Sequence, residues 1–395
     1  MREIGSEYYM ESADGDTDLT DILSGAAHDA GDGIRFLRCG RDALGFIADE
    51  IAGHSVGISR TLFIPALCCD SMVLPFSKRG WNIEYYRLNP DLSADTEHLS
   101  GLIDRNADTA PAPVVLVMNY YGITEVDSVK SFLRDRYPDP VIIEDVTHQV
   151  FSPSRYMEDG ARTDYVIGSI RKWMGVPDGS FVIGPTDMAD VPSSNESAFT
   201  RLRRQALLEK KDYVFSDDHS QTLKDHFRGL FGEAEDSLED GLHPGPMSDA
   251  AREVLGSVDL SDICAHRTEN FTVLRECMSS DPLHGEMYEI LNPHAAVPDC
   301  PFMLPIVMHI DRIRESSRTA AGQSITRDRF ENKLAARGVY APVLWPIDAQ
   351  AAEVCEISRR FAQNMLAFYI DHRYDADDMR YVAEVFGEEL RAIQG

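Results

Sequence analysis

Ile142-Ile143-Glu144-Asp145-Val146-Thr147-His148 is a short apolar run that ends in two carboxylates, and its reading decides the fold. A run this short, preceded by Pro138-Asp139-Pro140, is a buried strand rather than a helix. Carboxylates at its end stand where open α/β sheets bind their ligands. Alone, Asp145 reads as a turn or cap residue. A second segment changes that: Asp164-Tyr165-Val166-Ile167-Gly168-Ser169-Ile170-Arg171-Lys172-Trp173 is another short strand, running into Ser-x-x-Lys.

Further strands lie outward from this pair, at Thr61 to Ile64, Ile83 to Leu88, Val114 to Met118 and Phe181 to Ile183. Amphipathic stretches between them, such as Asp70 to Arg79 before Gly80 and Glu125 to Arg136 before Pro138, read as crossover helices. Strand and helix in alternation predict a mostly parallel sheet covered on both faces, the α/β class. From 188 to 240 the pattern turns helical, including Phe199 to Lys211 and Gln221 to Leu230. A smaller α/β unit begins near Cys300, with strands expected over Phe302 to Ile310 and Val339 to Leu344. Helices are expected over Arg327 to Arg337 and Asp377 to Ile393. The expected division is a large domain at 1–250 and a small C-terminal domain at 251–395.

The chain has 395 residues and a formal net charge of −28. Such a charge repels phosphate backbones, so nucleic acid is not an expected partner. No stretch approaches the ~20 apolar residues of a membrane span, and Met1-Arg2-Glu3-Ile4-Gly5 lacks the apolar core of a signal peptide, which points to the cytoplasm. Seven scattered cysteines with no C-x-x-C pair give no zinc or redox motif. Asp14, Asp16 and Asp18 open like a calcium loop, but Leu19 and Gly25 stand where its glycine and glutamate belong, leaving a solvated acidic loop. No metal site is expected. The basic cluster Arg201, Arg203, Arg204, Lys210 and Lys211 reads as an exposed helix face.

Asp145 and Lys172 together suit pyridoxal 5′-phosphate (PLP). That cofactor needs a carboxylate to keep its pyridine nitrogen protonated and a lysine amine to form an imine and move protons. Its phosphate needs hydroxyl and N–H donors, preferably at a helix start. Ser169 and the turn Gly40-Arg41-Asp42-Ala43-Leu44, which opens a predicted helix, meet that need. The order Gly-x-x-Ala-Leu, then Pro65 with a helix behind it, then Glu-Asp-x-x-His, then the lysine segment resembles the DegT/StrS sugar aminotransferase family, which are fold type I PLP enzymes. The resemblance is densest between Gly40 and Gly184.

It implies a seven-stranded-type sheet and a small C-terminal domain. Lys172 would be the Schiff-base lysine and proton shuttle, Asp145 the partner of the pyridinium nitrogen, and His148 a neighbour of the cofactor's phenolic oxygen. Ser169 and the backbone at Gly40 and Arg41 would hold the phosphate, with Asn119 and Tyr121 lining the pocket and Arg373 a carboxylate clamp. The implied activity moves an amino group from a donor such as glutamate to a keto-sugar or related carbonyl, in surface-glycan or secondary-metabolite biosynthesis, in a homodimer. Three departures stand out. Cys69 replaces the family's stacking aromatic ring, Ser169 precedes the lysine by three positions rather than five, and His243-Pro244-Gly245-Pro246-Met247-Ser248 replaces the Gly-x-Asn-x-Arg segment. Other PLP carbanion chemistry, of lyase or dehydratase type, and a non-catalytic binding protein remain open readings.

Overall fold

The computed structural model describes residues 3–53, 58–106, 112–157, 163–193, 196–217, 219–238, 243–318 and 320–394. Seven strands build the main sheet: β1 (Gly33–Leu37), β2 (Ile58–Pro65), β3 (Asn82–Tyr86), β4 (Ala112–Met118), β5 (Val141–Asp145), β6 (Tyr165–Ser169) and β7 (Ser180–Gly184). Their spatial order is β1-β7-β6-β5-β4-β2-β3. The pairings from β3 through β6 are parallel, and β7 and β1 are added antiparallel. Every residue of β4, β6 and β7 is buried, as a sheet covered on both faces requires. The six strands expected in the first half of the sequence all form, and so does the mostly parallel sheet.

β1 is the strand of this sheet that sequence reading missed. It lies at the sheet edge and is mostly half-buried, with Arg35 at its centre donating to the carbonyls of Met188 and Ala189. No continuous apolar run advertises such a strand. Helices Gly40–Gly53, Asp70–Ser77 and Asp127–Arg136 follow strands as crossovers, and the first of them opens at the predicted glycine. Two longer helices, Ala198–Phe215 and Gln221–Asp236, pack together, each capped by a serine hydroxyl from Ser197 or Ser220.

The second sheet is antiparallel, in the order β10-β9-β8, from β8 (Tyr288–Ile290), β9 (Met303–Met308) and β10 (Met365–Tyr369). Helices Leu260–Ser280 and Ala376–Gln394 cover it. Met379, Val382, Val385, Phe386 and Leu390 share a hydrophobic cluster with Leu274, Leu304 and Phe368, so the helical spacing read from the sequence is the buried stripe. The strand expected over Val339 to Leu344 does not form. Val339 makes a single parallel bridge to Ile4, and Pro342 brings no N–H to extend it. Asp18 is no loop ligand: it caps helix Leu19–Asp29, accepting from the N–H groups of Thr20 and Asp21.

Residues 4–11 run as a strap across the molecule. Ile4 exchanges hydrogen bonds with Gly338 and Tyr340, Met10 donates to Leu207, and Glu11 donates to Gly175. The last contact explains why position 175 is a glycine. A Cβ there would stand 1.6 Å from the Tyr9 carbonyl oxygen.

Candidate active site

The carboxyl ends of β4, β5 and β6 bring Met118, Asp145 and Ser169 to one place, and the register pairs Met118 with Asp145 and Asp145 with Ile167. Just beyond β6, the single turn Ile170–Lys172 turns the chain. The Gly40–Gly53 helix points its first residues at the same place. Together they form a cavity of about 50 Å³ lined by Gly40, Arg41, Cys69, Asp145, Ser169 and Lys172, with Thr147 and Trp345 among the remaining walls. All six positions were singled out from the sequence for a cofactor.

Neighbouring residues in β5 face opposite ways. Glu144 turns toward helix Asp127–Arg136, where Lys130 Nζ lies 2.9 Å from its Oε2, while Asp145 turns to the cavity. The Thr147 N–H donates to Asp145 Oδ1 at 2.8 Å, the local turn that aspartates favour. Thr147 also accepts from the Ser169 N–H through its hydroxyl, and from the Trp173 indole through its carbonyl. It ties the carboxylate, serine and lysine segments together, yet sequence reading passed over it. The signal available was the Asp-x-Thr spacing of a side-chain-closed turn. Burial pushes the Asp145 carboxyl up, against the opposing pull of the Thr147 hydrogen bonds and Lys172. Lys172 itself is exposed.

His148 does not line the cavity. Its ring stacks on Phe302 at 4.3 Å and meets Trp345 at 5.4 Å, while its Nδ1 accepts from the Tyr121 N–H at 2.9 Å. Burial, aided by Lys172, drives its pKa well below the ordinary histidine value, so the ring is neutral. It backs the cavity wall through Trp345. Asn119 and Tyr121 are corrected in the same sense. The Asn119 amide oxygen is taken by the Thr124 N–H and hydroxyl, and the Tyr121 hydroxyl rests on Met365 Sδ at 3.4 Å. Both are buried behind Met118, which takes the lining position.

Arg373 is not brought to the site. It forks onto Asp371 at 2.7 and 2.9 Å, donates to the Ser6 and Glu7 carbonyls, and stacks 4.0 Å over Tyr8. Four of its N–H groups are engaged by Asp371 and the strap, and it does not line the cavity. The basic cluster is also redrawn: Arg201 and Arg204 are exposed, but Arg203 and Lys210 turn inward and are buried.

The donor set fits PLP. A carboxylate, an amine on the next strand's turn, a helix start and a hydroxyl converge, and Arg41 Nη1 is buried without an acceptor among the described residues at the same wall. The volume alone is that of a few waters. Lys172 is the exposed side of the cavity.

No protein-family model matches the chain, and no curated protein matches it. Solved structures do. Helicobacter pylori PseC, an aminotransferase of pseudoaminic acid biosynthesis, is 11% identical with a TM-score of 0.66, and the match covers 99% of this chain and 100% of that one. DesI, solved with its TDP-sugar product, is 14% identical at a TM-score of 0.63, covering 98% of this chain and 88% of that one. The sugar aminotransferase Spr1654 of Streptococcus pneumoniae, in its PLP form, is 12% identical at 0.60, covering 98% and 93%. A NifS-like protein also matches, at 14% identity and a TM-score of 0.55 over 95% and 88% of the two chains. The architecture shared with these structures is fold type I of the PLP-dependent transferases, along essentially the whole length of this chain.

Proposed function

We propose that this chain is a PLP-dependent aminotransferase, moving an amino group from an amino-acid donor such as glutamate to a keto-sugar or related carbonyl acceptor in surface-glycan or secondary-metabolite biosynthesis. One observation carries the reading: Asp145 and Lys172, from successive strands, line a single cavity at the start of the Gly40–Gly53 helix. An aminotransferase of pseudoaminic acid biosynthesis and a protein solved with its TDP-sugar product, both among the structural matches, give the acceptor class its support. A fold alone does not decide a reaction.

Bound PLP supplies an electron sink that lets an amine-bearing carbon release its proton. The chain's residues do the rest. Lys172 Nζ would anchor the cofactor and is the amine the chain offers for moving that proton. Asp145 would be the partner of the ring nitrogen and hold a proton there, a task suited to a carboxyl that burial has made more basic. Thr147 fixes the direction of Asp145 through its N–H. Ser169 and the helix start at Gly40 and Arg41 hold the phosphate, with Cys69 in place of an aromatic ring on the wall. The neutral His148 supports Trp345 rather than touching the reacting atoms. Trp345 lies within 251–395 and lines the cavity, which supports the reading that this part closes a site carried by 1–250. A second copy of the chain covers the exposed side of Lys172 in a homodimer.

The test is borohydride reduction of PLP-treated protein followed by peptide mass spectrometry. A phosphopyridoxyl mass on Lys172 is expected. Saturated protein with no label there would leave a resemblance of fold only and move a binding role ahead. Glutamate should then convert the bound aldehyde to its amine form, which a lyase or a pure binder would not share.

A further inference from the structure

Helix Ala198–Phe215 carries Arg203 and Lys210 two turns apart on one face, and that face turns inward. Arg203 finds acceptors there: it donates to the Val176 carbonyl and lies 3.9 Å from the Glu235 carboxylate. Lys210 has no such counter-charge. It is 2% exposed, and among the described residues its Nζ hydrogen-bonds only to the Ser6 hydroxyl, at 3.0 Å, while lying 5.7 Å over the Phe227 ring. Burial pushes its pKa down to about 7; Arg373 and Lys224 add to the fall, and Glu7 and Glu3 pull the other way. An ammonium buried in this way costs stability that a methionine of similar volume would not.

Lys210 lines a cavity of about 250 Å³ that shares no lining residue with the one at Lys172. Three parts of the chain meet around it. The strap brings Ser6, helix Gln221–Asp236 brings Phe227, and the segment around the second sheet brings Tyr340, Pro342 and Tyr369 of β10. These rings give the cavity an apolar wall. Charge lies toward its margins, where Lys224 pairs with Glu3, and Glu7 and Arg228 are exposed. Glu331, from helix Arg327–Ala336, completes the lining, and burial pushes its carboxyl up. One buried cation suits one negative charge, and the carboxylates of Glu3, Glu7 and Glu331 disfavour a dianion.

We propose that this cavity is a second ligand site, taking a small apolar monocarboxylate whose carboxylate meets Lys210 Nζ and the Ser6 hydroxyl and whose body lies on Phe227, Tyr340 and Tyr369. The Ser6 hydroxyl accepts from Lys210 and keeps its own hydrogen to donate. The space is that of roughly eight waters, which suits a ligand of about ten non-hydrogen atoms. The site stands apart from the cofactor reading, because it uses no residue of the Lys172 cavity. Only the ammonium form of Lys210 pairs with a carboxylate, so binding takes up a proton wherever the free lysine has lost one. Affinity is therefore full below pH ~7 and falls as pH rises above it. The other groups around Lys210 are the carboxyls of Glu3, Glu7 and Glu331, the guanidiniums of Arg228 and Arg373, Lys224, and the phenols of Tyr340 and Tyr369. Carboxyls, guanidiniums and phenols ordinarily titrate outside pH ~7–9, and Lys224 is pushed up by its pairing with Glu3.

A ligand-observed NMR titration of the purified chain tests this, with phenylacetate and its uncharged isostere phenylacetamide as probes. Phenylacetate is expected to bind about tenfold or more tightly than the amide at pH ~6.5. Lys210→Met should erase that margin and leave the amide unchanged, and Ser6→Ala should weaken the acid by a smaller factor. For wild type, the acid's affinity should hold from pH ~5.5 to ~6.5 and fall about tenfold or more between ~7 and ~8.5, while the amide's stays level. That profile needs no variant, so a folding defect in Lys210→Met would not shield the proposal. Equal affinities for acid and amide, an acid affinity level across the same pH range, or no binding of either probe at ~10 mM would overturn it. So would a Lys210→Met protein with an unaltered melting curve that still prefers the acid as strongly as wild type.

Discussion

Asp145 is the residue whose role is most exposed to test. Replacing it with alanine should weaken PLP binding and stop proton abstraction, because an uncharged pyridine is a poor electron sink. Full transamination by Asp145→Ala would show that another group faces the ring. Lys172→Ala should abolish turnover and leave the melting curve unchanged. Arg373, expected at the substrate, makes a different prediction. Its partner Asp371 is fully buried; burial pushes that carboxyl up, but Arg373 prevails and brings it down to about 2. Because the folded-state pKa lies below the unfolded one, the pair stabilises the protein above pH ~4, and that contribution, about 2 kcal/mol, is lost as pH falls through about 2. Arg373→Ala strands a buried carboxylate and should cost about 3–5 kcal/mol in urea unfolding at pH 7. An unchanged stability with a raised KM for the amino donor would restore the clamp. The contrast shows what residue types reveal. Asp145, Ser169 and Lys172 were legible because strand ends fix where they point. Arg373 was not, since only the folded chain reveals that Asp371, Tyr8 and the strap occupy it.

The strands that could be read carry apolar or β-branched runs, and all but the edge strand β3 lie inside the sheet. β4 is apolar throughout and β5 opens with Val141-Ile142-Ile143, whereas β1 is half-wet and β10, Met-Leu-Ala-Phe-Tyr, has no β-branched residue and directly follows helix Glu356–Asn364. Local sequence favours extending that helix, and pairing with β9 overrides it. The basic face of helix Ala198–Phe215 was misread for a related reason. Arg203 and Lys210 sit on its inner side, where Arg203 lies over the Phe231 ring and Lys210 over that of Phe227. Charge in a sequence says nothing of direction until a second helix is placed against it. Gly175 offers an element-scale test of the strap. Gly175→Ala must push Tyr9 away, and the strain should cost about 1–3 kcal/mol of stability, read from denaturant midpoints. A neutral result would mean that the strap is free to shift.

At the scale of the whole molecule, a net charge of −28 sets self-repulsion against compaction. Raising sodium chloride from ~10 to ~150 mM shortens the screening length and should raise the melting temperature. A fall would show that attractive pairs, such as Arg337 with Glu388 and Glu389, outweigh the repulsion. Cavity, helical pair and second sheet also meet through the strap, which reaches Gly175 near Lys172 at one end and Gly338 at the other. Residues 4–11 leave the ribosome before every one of those partners exists. The main sheet is complete once β7 emerges, but the strap cannot close over it until Gly338, Tyr340 and Tyr374 have been made. The strap is thus made early and settles late, and a nascent chain stalled short of Gly338 would carry Lys172 on an unfastened frame.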